Sequence, residues 1–325
     1  MRLATTAMLF LAIPFAALAD PLPSWNPTGT EAAIIDFVTR VTDPASGDFV
    51  PEEQRIAVFD NDGTLWSEQP MYFQGLYALQ RLQEKAKADP SILTSDPLRA
   101  AAAGDMKGVM AGGQAGLVEI LNVSHAGMTV DDFKADAHAW LTTEKHPTSG
   151  LTYAQMTFQP MLELLVYLRD NGFRTYIVSG GGADFMRSIA REAYGIPTWQ
   201  VIGSEGSTKY EAAENGTFSL MKKGGITFID DNVGKPVGIE THIGQRPIFA
   251  AGNSDGDFQM LEWTTSGDGP RFGLIVHHTD AKREFAYDRD SPFGKLARGL
   301  DEADARGWTV VDMANDWSRV WSGQP

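Results

Sequence analysis

The chain contains no cysteine. That absence excludes disulfides, thiolate metal sites and cysteine nucleophiles together. It suits an oxidising compartment such as a bacterial periplasm, where a stray thiol risks wrong pairing. Basic residues are also scarce: 27 Lys and Arg stand against 42 Asp and Glu, a formal net charge of −15. This balance argues against a nucleic-acid backbone or an anionic membrane surface as the main partner. A phosphorylated small molecule is anionic as well, so an acidic protein that binds one needs local positive charge from a metal and a lysine. Long apolar runs are confined to the first residues. Met1-Arg2 gives a positive start, Ala7 to Ala17 is almost wholly apolar, and Ala17-Leu18-Ala19 precedes Asp20 in a small-x-small pattern. Residues 1–19 therefore read as a cleaved export leader, too short to span a bilayer comfortably. The mature protein is expected to be periplasmic or secreted and free of the membrane.

What remains has ordinary globular composition, 43% hydrophobic and 21% charged, over enough length to bury a sizeable core. Gly29–Val41 has apolar residues at helical spacing. Four short runs then read as strands: Arg55–Phe59, Arg174–Val178, Arg246–Ala251 and Gly273–His277. Helical patterns at Asp184–Tyr194 and Pro236–Ile243 alternate with them, which predicts an α/β fold, a mostly parallel sheet covered by helices on both faces. In such sheets ligands sit beyond the carboxyl ends of the strands. Residues 67–157 show few strand signals and several helical ones, including Ala78–Ala88 and Val130–Leu141. They read as a helical cap inserted into a core formed by 20–66 and 158–325. Lys209 to Lys222 alternates around Asn215-Gly216, a signal for a tight hairpin.

The polar residues closing the strands carry the chemistry. Asp60-Asn61-Asp62-Gly63-Thr64-Leu65 follows the first strand directly. Two carboxylates at i and i+2 on a loop leaving a strand converge on one point, Gly63 allows the tight path, and Thr64 adds a hydroxyl beside exposed amides. One carboxylate can attack phosphorus and the other can protonate the leaving oxygen and later activate water. Ser179-Gly180-Gly181-Gly182 closes the second strand and offers a hydroxyl and amides to phosphate oxygens. Lys235 stands at a helix start, with Lys222 and Lys223 shortly before it, and any of the three could supply a counter-charge. Gly252-Asn253-Ser254-Asp255-Gly256-Asp257 closes the third strand.

In this order, these passages resemble the four motifs of the haloacid dehalogenase superfamily. The second Asp of the first passage resembles the phosphate-transferring branch. The Ser-Gly-Gly run and the insertion after the first motif resemble phosphoserine-phosphatase-like members. The resemblance implies a doubly wound Rossmann-like core and a Mg²⁺-dependent phosphatase acting on a small phosphorylated substrate. By the same resemblance Asp60 is the nucleophile and Asp62 the general acid/base. Thr64, Ser179, Gly180 and Lys235 would hold phosphate. Mg²⁺ would be held at Asp60, the Asp62 carbonyl, Asn253 and Asp257. The sequence departs from the fourth motif at Asn253, where an Asp is usual, so Asp255 or Asp257 is expected to supply more of the charge. Pyrophosphate hydrolysis, phosphoryl transfer, or ligand binding on a degenerate site are the alternative functions.

Glu68, Tyr72 and Phe73 lie where a substrate-facing cap would begin, although ordinary helix and core roles fit them as well. His277 and His278 are adjacent on a strand and so face opposite ways, which favours a structural role over a shared metal. Trp263, Trp308, Trp317 and Trp321 read as packing residues.

Overall fold

Ile56-Ala57-Val58-Phe59 is buried on both sides, as a central parallel strand requires. It forms β1 (Ile56–Phe59) of a sheet whose other strands are β2 (Arg174–Gly182), β3 (Val201–Ala212), β4 (Phe218–Phe228), β5 (Phe249–Gly252), β6 (Phe272–His277) and β7 (Thr309–Asp312). A computed structural model describes residues 20–212 and 216–324. The leader read at 1–19 and Asn215 of the hairpin turn lie outside the described residues. The strand order is β4-β3-β2-β1-β5-β6-β7, with every neighbouring pair parallel except β3–β4. The chain reverses direction across the sheet at β1, between β2 and β5, and the loops after those three strands converge there.

Alternation along the strands splits the core into two layers. Ala57, Phe59, Ile177, Phe249, Leu274 and Val276 face one layer with α1 (Gly29–Thr42), whose Ile34, Phe37, Val38 and Val41 are buried against it. Ile56, Val58, Val178, Ala250 and Ile275 face the other, which Trp308 closes. Trp317 and Trp321 are buried in the first layer, and Trp263 packs against the second.

The insertion holds α2 (Phe73–Ala88), α3 (Asp96–Ala103), α4 (Met106–Ala111), α5 (Gly113–His125) and α6 (Val130–Thr143). Met71, Leu79, Leu82, Leu98, Val109 and Ile120 give its outer helices a small core of their own. Its inner side is continuous with the main core, because Phe73, Tyr77, Phe133 and Trp140 belong to the first layer.

The remaining helices are α7 (Gln159–Asp170), α8 (Ala183–Arg187), α9 (Ala190–Tyr194), α10 (Gly234–Ile243), α11 (Phe258–Thr265), α12 (Arg298–Arg306) and α13 (Met313–Asp316). The single helix expected over Asp184–Tyr194 is two short ones. Ser188 Oγ donates to the Phe185 carbonyl at 2.6 Å, and Ile189 leaves helical geometry at φ −131°. The second strand runs on through the glycine triplet, with an irregularity against β3 between Ser179 and Gly182. The third begins later than expected, at Phe249; Pro247 has no N–H to give a ladder.

The hairpin is longer than its alternation predicts, pairing Ala212 with Phe218 and reaching back to Glu205 and Phe228. It also bonds to the insertion: Lys222 N donates to Met128 O at 2.9 Å, Gly127 N to Lys222 O at 3.0 Å, and Gly225 N to Asn122 Oδ1 at 3.0 Å. Among the described residues no helix is long and apolar enough to cross a membrane.

His125, at the end of α5, is buried beneath this junction, with Nδ1 2.5 Å from the Leu121 carbonyl and Nε2 unpartnered among the described residues. Burial lowers its pKa to about 4; the Leu121 carbonyl opposes this, while Lys222 and Lys85 add to it. The unfolded chain therefore takes up a proton near pH 6.5 that the folded chain refuses until about 4. Stability from this residue is full above pH 6.5 and falls as pH drops towards 4, by about 2–3 kcal/mol. The gap in urea-unfolding free energy between the native protein and His125→Gln should narrow by that amount between pH 7 and pH 4.5. A constant gap would show that His125 is not the group responsible.

Candidate active site

The first-motif loop is a tight turn whose centre is the Asn61 carbonyl. That oxygen accepts from the amides of Thr64 (3.2 Å), Leu65 (2.8 Å) and Trp66 (3.2 Å). Gly63 has φ +73°, and a Cβ there would sit 2.0 Å from Asn253 Nδ2, so both the conformation and the close approach require glycine. His278 fastens the loop from behind. Its Nε2 donates to the Gly63 carbonyl at 2.7 Å, and Glu284 lies 3.2 Å from Nδ1. Glu284 in turn accepts from Ser67 Oγ at 2.8 Å, which accepts from Trp321 Nε1 at 2.8 Å. The paired histidines do part company: His277 turns to Asp288 at 3.2 Å.

Asp60 leaves the end of β1 and is 6% exposed. Lys235, on the first turn of α10 and 2% exposed, donates to Asp60 Oδ1 at 2.7 Å and to the Val178 carbonyl at 2.8 Å. The same ammonium lies 2.7 Å from Asp257 Oδ1. Asp257 is fixed by its other oxygen, which accepts from the amides of Asn253 (2.9 Å) and Ser254 (3.0 Å). Of the three candidate lysines, Lys235 is therefore the one at Asp60. Lys222 pairs with Asp184 at 2.6 Å and Lys223 with Glu211 at 2.8 Å. Ser179 Oγ accepts from the Gly181 amide at 3.2 Å. Gln74 of α2 accepts from the Gly182 amide at 2.7 Å, which ties the insertion to the glycine loop.

Asp62 is oriented by Trp66 Nε1, which donates to Oδ1 at 2.8 Å. Burial raises its carboxyl to about 6, against that hydrogen bond and the Lys235 charge. Asp60 is raised to about 8, first by burial and then by Asp257, with Lys235 opposing both. Burial alone would lower the Lys235 ammonium, but Asp257 and Asp60 outweigh it and hold it above its ordinary value.

Thr64 Oγ1 donates to Asn253 Oδ1 at 3.2 Å rather than standing free. Asn253 Nδ2 donates to Glu68 Oε1 at 2.7 Å, and Tyr287 OH reaches the same oxygen at 2.8 Å. Glu68 is 1% exposed and its carboxyl is pushed well up, by burial first, with Asp62 and Asp60 adding to it. Asp255 is turned away: its oxygens accept from the amides of Ala297, Arg298 and Gly299 at the start of α12. The charge that Asn253 lacks is thus not supplied by Asp255. The nearest additional carboxylate is Glu68, whose contact with Asn253 spans 185 residues of sequence and left no local signal.

Among the described residues no three His, Asp or Glu side chains are spaced as a metal cage. The available hard donors are mixed: an Asp60 carboxylate oxygen, the Asp62 carbonyl and the Asn253 amide oxygen, a set suited to Mg²⁺. Asp60 and Asp257 pair with the Lys235 ammonium, Asp62 feels its charge, and repulsion among Asp60, Asp62 and Asp257, with Asp60 and Asp62 acting on Glu68, contributes to the raised acids. Such an excess of buried negative charge fits a divalent cation. Asp257 Oδ2 is held by the fourth-loop amides, while Oδ1 faces the Lys235 ammonium without a hydrogen bond among the described residues.

Asp60, Asp62, Ser179, Gly180, Lys235 and Asp257 line one end of a cavity of about 1070 Å³. α4, α5 and α6 and the β3–β4 hairpin wall the rest.

Two crystal structures share the fold. A protein of unknown function from Bordetella pertussis Tohama I is 19% identical, over 80% of this chain and 99% of that one, with a TM-score of 0.50. A conserved functionally unknown protein from Anaerococcus prevotii DSM 20548 is 16% identical, over 77% and 86%, also with a TM-score of 0.50. No curated protein matches. The family model for haloacid dehalogenase-like hydrolases matches residues 57–262, more than half of the chain and all four motif loops. The chain belongs to the haloacid dehalogenase-like hydrolase family.

Proposed function

We propose that the protein is a phosphatase that hydrolyses a small phosphate monoester through an aspartyl-phosphate on Asp60. The observation that carries this reading is the buried Lys235 ammonium, 2.7 Å from both Asp60 and Asp257 where these residues line the cavity. A phosphoryl group presented to Asp60 there meets a fixed cation, the Ser179 hydroxyl and the Gly180–Gly181 backbone, all in place before it arrives.

One Asp60 oxygen attacks phosphorus as the ester P–O bond breaks. The departing alkoxide takes a proton from Asp62, which Trp66 keeps in position, while the Lys235 ammonium paired with Asp60 favours the ionised form of the nucleophile. Asp62 then accepts a proton from water as the water oxygen bonds to phosphorus and the acyl-phosphate bond breaks. Asp60 is regenerated as a carboxylate and phosphate leaves. Mg²⁺, held by Asp60, the Asp62 carbonyl and Asn253, would supply positive charge at the transferring group when bound. His278 holds the loop carrying both acids. The export leader read at residues 1–19 supports action outside the cytoplasm. The size of the cavity favours an organic ester over pyrophosphate.

Asp60→Asn should lower phosphate release roughly 10³-fold or more while the circular dichroism and melting profile persist. Activity retained in a clean preparation sinks the nucleophile assignment. Asp62→Asn should reduce kcat on an alkyl phosphate by about 10²–10⁴-fold, and much less on an aryl phosphate with a weakly basic leaving group. Equal losses on both esters would remove Asp62 from the role of acid. Chelation by EDTA should stop release, and Mg²⁺ should raise the melting temperature of the native protein but not of Asp60→Ala. An unchanged melt on adding Mg²⁺ would count against the metal.

A further inference from the structure

Beyond Asp60 and Lys235 a run of apolar side chains shares the cavity lining with polar ones such as Asn122, His125, Ser204 and Thr208. Leu117, Val118 and Leu121 occupy one face of α5, and Leu220 and Ile226 of β4 and Phe133 of α6 line the same cavity. The apolar character continues outward to the rim, where Met110, Trp199, Leu220 and Ile229 are 43%, 74%, 52% and 47% exposed. Apolar surface left open around a cavity marks a place where apolar ligand is bound.

The charges lining the cavity lead to the same conclusion. Seven carboxylates face it against five cations. Each of the five has an acidic partner. Lys235 is held by Asp60 and Asp257. Lys222 lies 2.6 Å from Asp184, which is also 3.5 Å from Arg187. Arg187 further donates to the carbonyls of Thr198 and Val201. At the rim Lys223 pairs with Glu211 at 2.8 Å and Lys134 with Asp131 at 2.9 Å. A substrate with a second anionic group, such as an amino-acid carboxylate or a further phosphate, would meet lining cations that are already paired with carboxylates. Desolvating an anion without a counter-charge is strongly unfavourable.

We infer that the alcohol portion of the substrate is apolar, an alkyl or aryl group of several carbons without a second negative charge, and that α5 and β4 select it. This rests on the phosphatase reading above. With the mature protein and Mg²⁺, kcat/KM is compared for hexyl phosphate, methyl phosphate, phosphoserine, glycerol 3-phosphate and phosphocholine. Hexyl and methyl phosphate have leaving groups of nearly equal basicity, so their ratio reports the cavity wall. The hexyl ester is expected to exceed the methyl ester by about 10²-fold, and phosphoserine to fall below both. Leu220→Asp, at a half-exposed position, and Val118→Asp should each cut the hexyl-to-methyl ratio at least about tenfold. Two results overturn the inference while leaving a phosphatase: a preference for phosphoserine, glycerol 3-phosphate or phosphocholine, or a hexyl-to-methyl ratio near one. No release from any ester by folded protein removes the phosphatase reading and this inference with it.

Discussion

The buried contact of Lys235 with Asp60 and Asp257 is the constraint on which the rest of the site depends. Three charges with almost no solvent contact persist only if each satisfies the others. The backbone provides the geometry. Lys235 rises from the first turn of α10 and also donates to the Val178 carbonyl within β2, just before Ser179, Asp60 follows β1, and Asp257 follows β5. The ammonium thus joins the carboxyl ends of three neighbouring strands at the point where the sheet reverses direction. Removing it would leave Asp60, Asp62 and Asp257 to repel one another without relief.

Around that centre, the supporting contacts restrict motion rather than add charge. His278 and Glu284 hold the Gly63 carbonyl, Trp66 aims Asp62, and the amides of Asn253 and Ser254 fix Asp257. Such a shell keeps reacting groups oriented before substrate arrives. The change from Asp to Asn in the fourth loop is accommodated in the same spirit. The neutral amide bridges Thr64 and Glu68, which a carboxylate at that position could not do without facing another carboxylate.

The central strands and the four loops that close them were legible because each strand is a short run of buried residues ended by a polar group. Lys235 was legible as one candidate among three, and the packing that separates it from Lys222 and Lys223 is tertiary. Three features left no local trace. The parallel start of β3 at Val201–Ser204 hides behind a short helical turn, and β7 is only four residues long. Glu68 meets Asn253 across 185 residues. The hairpin was legible as a hairpin, but its alternation reports two faces without saying what either one touches.

That hairpin bonds to the insertion at Lys222–Met128, Lys222–Gly127 and Gly225–Asn122. Two stretches lying a hundred residues apart therefore form one continuous wall of the cavity. Exchanging the helical insertion alone would replace only half of that wall and break the seam between the halves, so in this chain the two segments act as one structural unit.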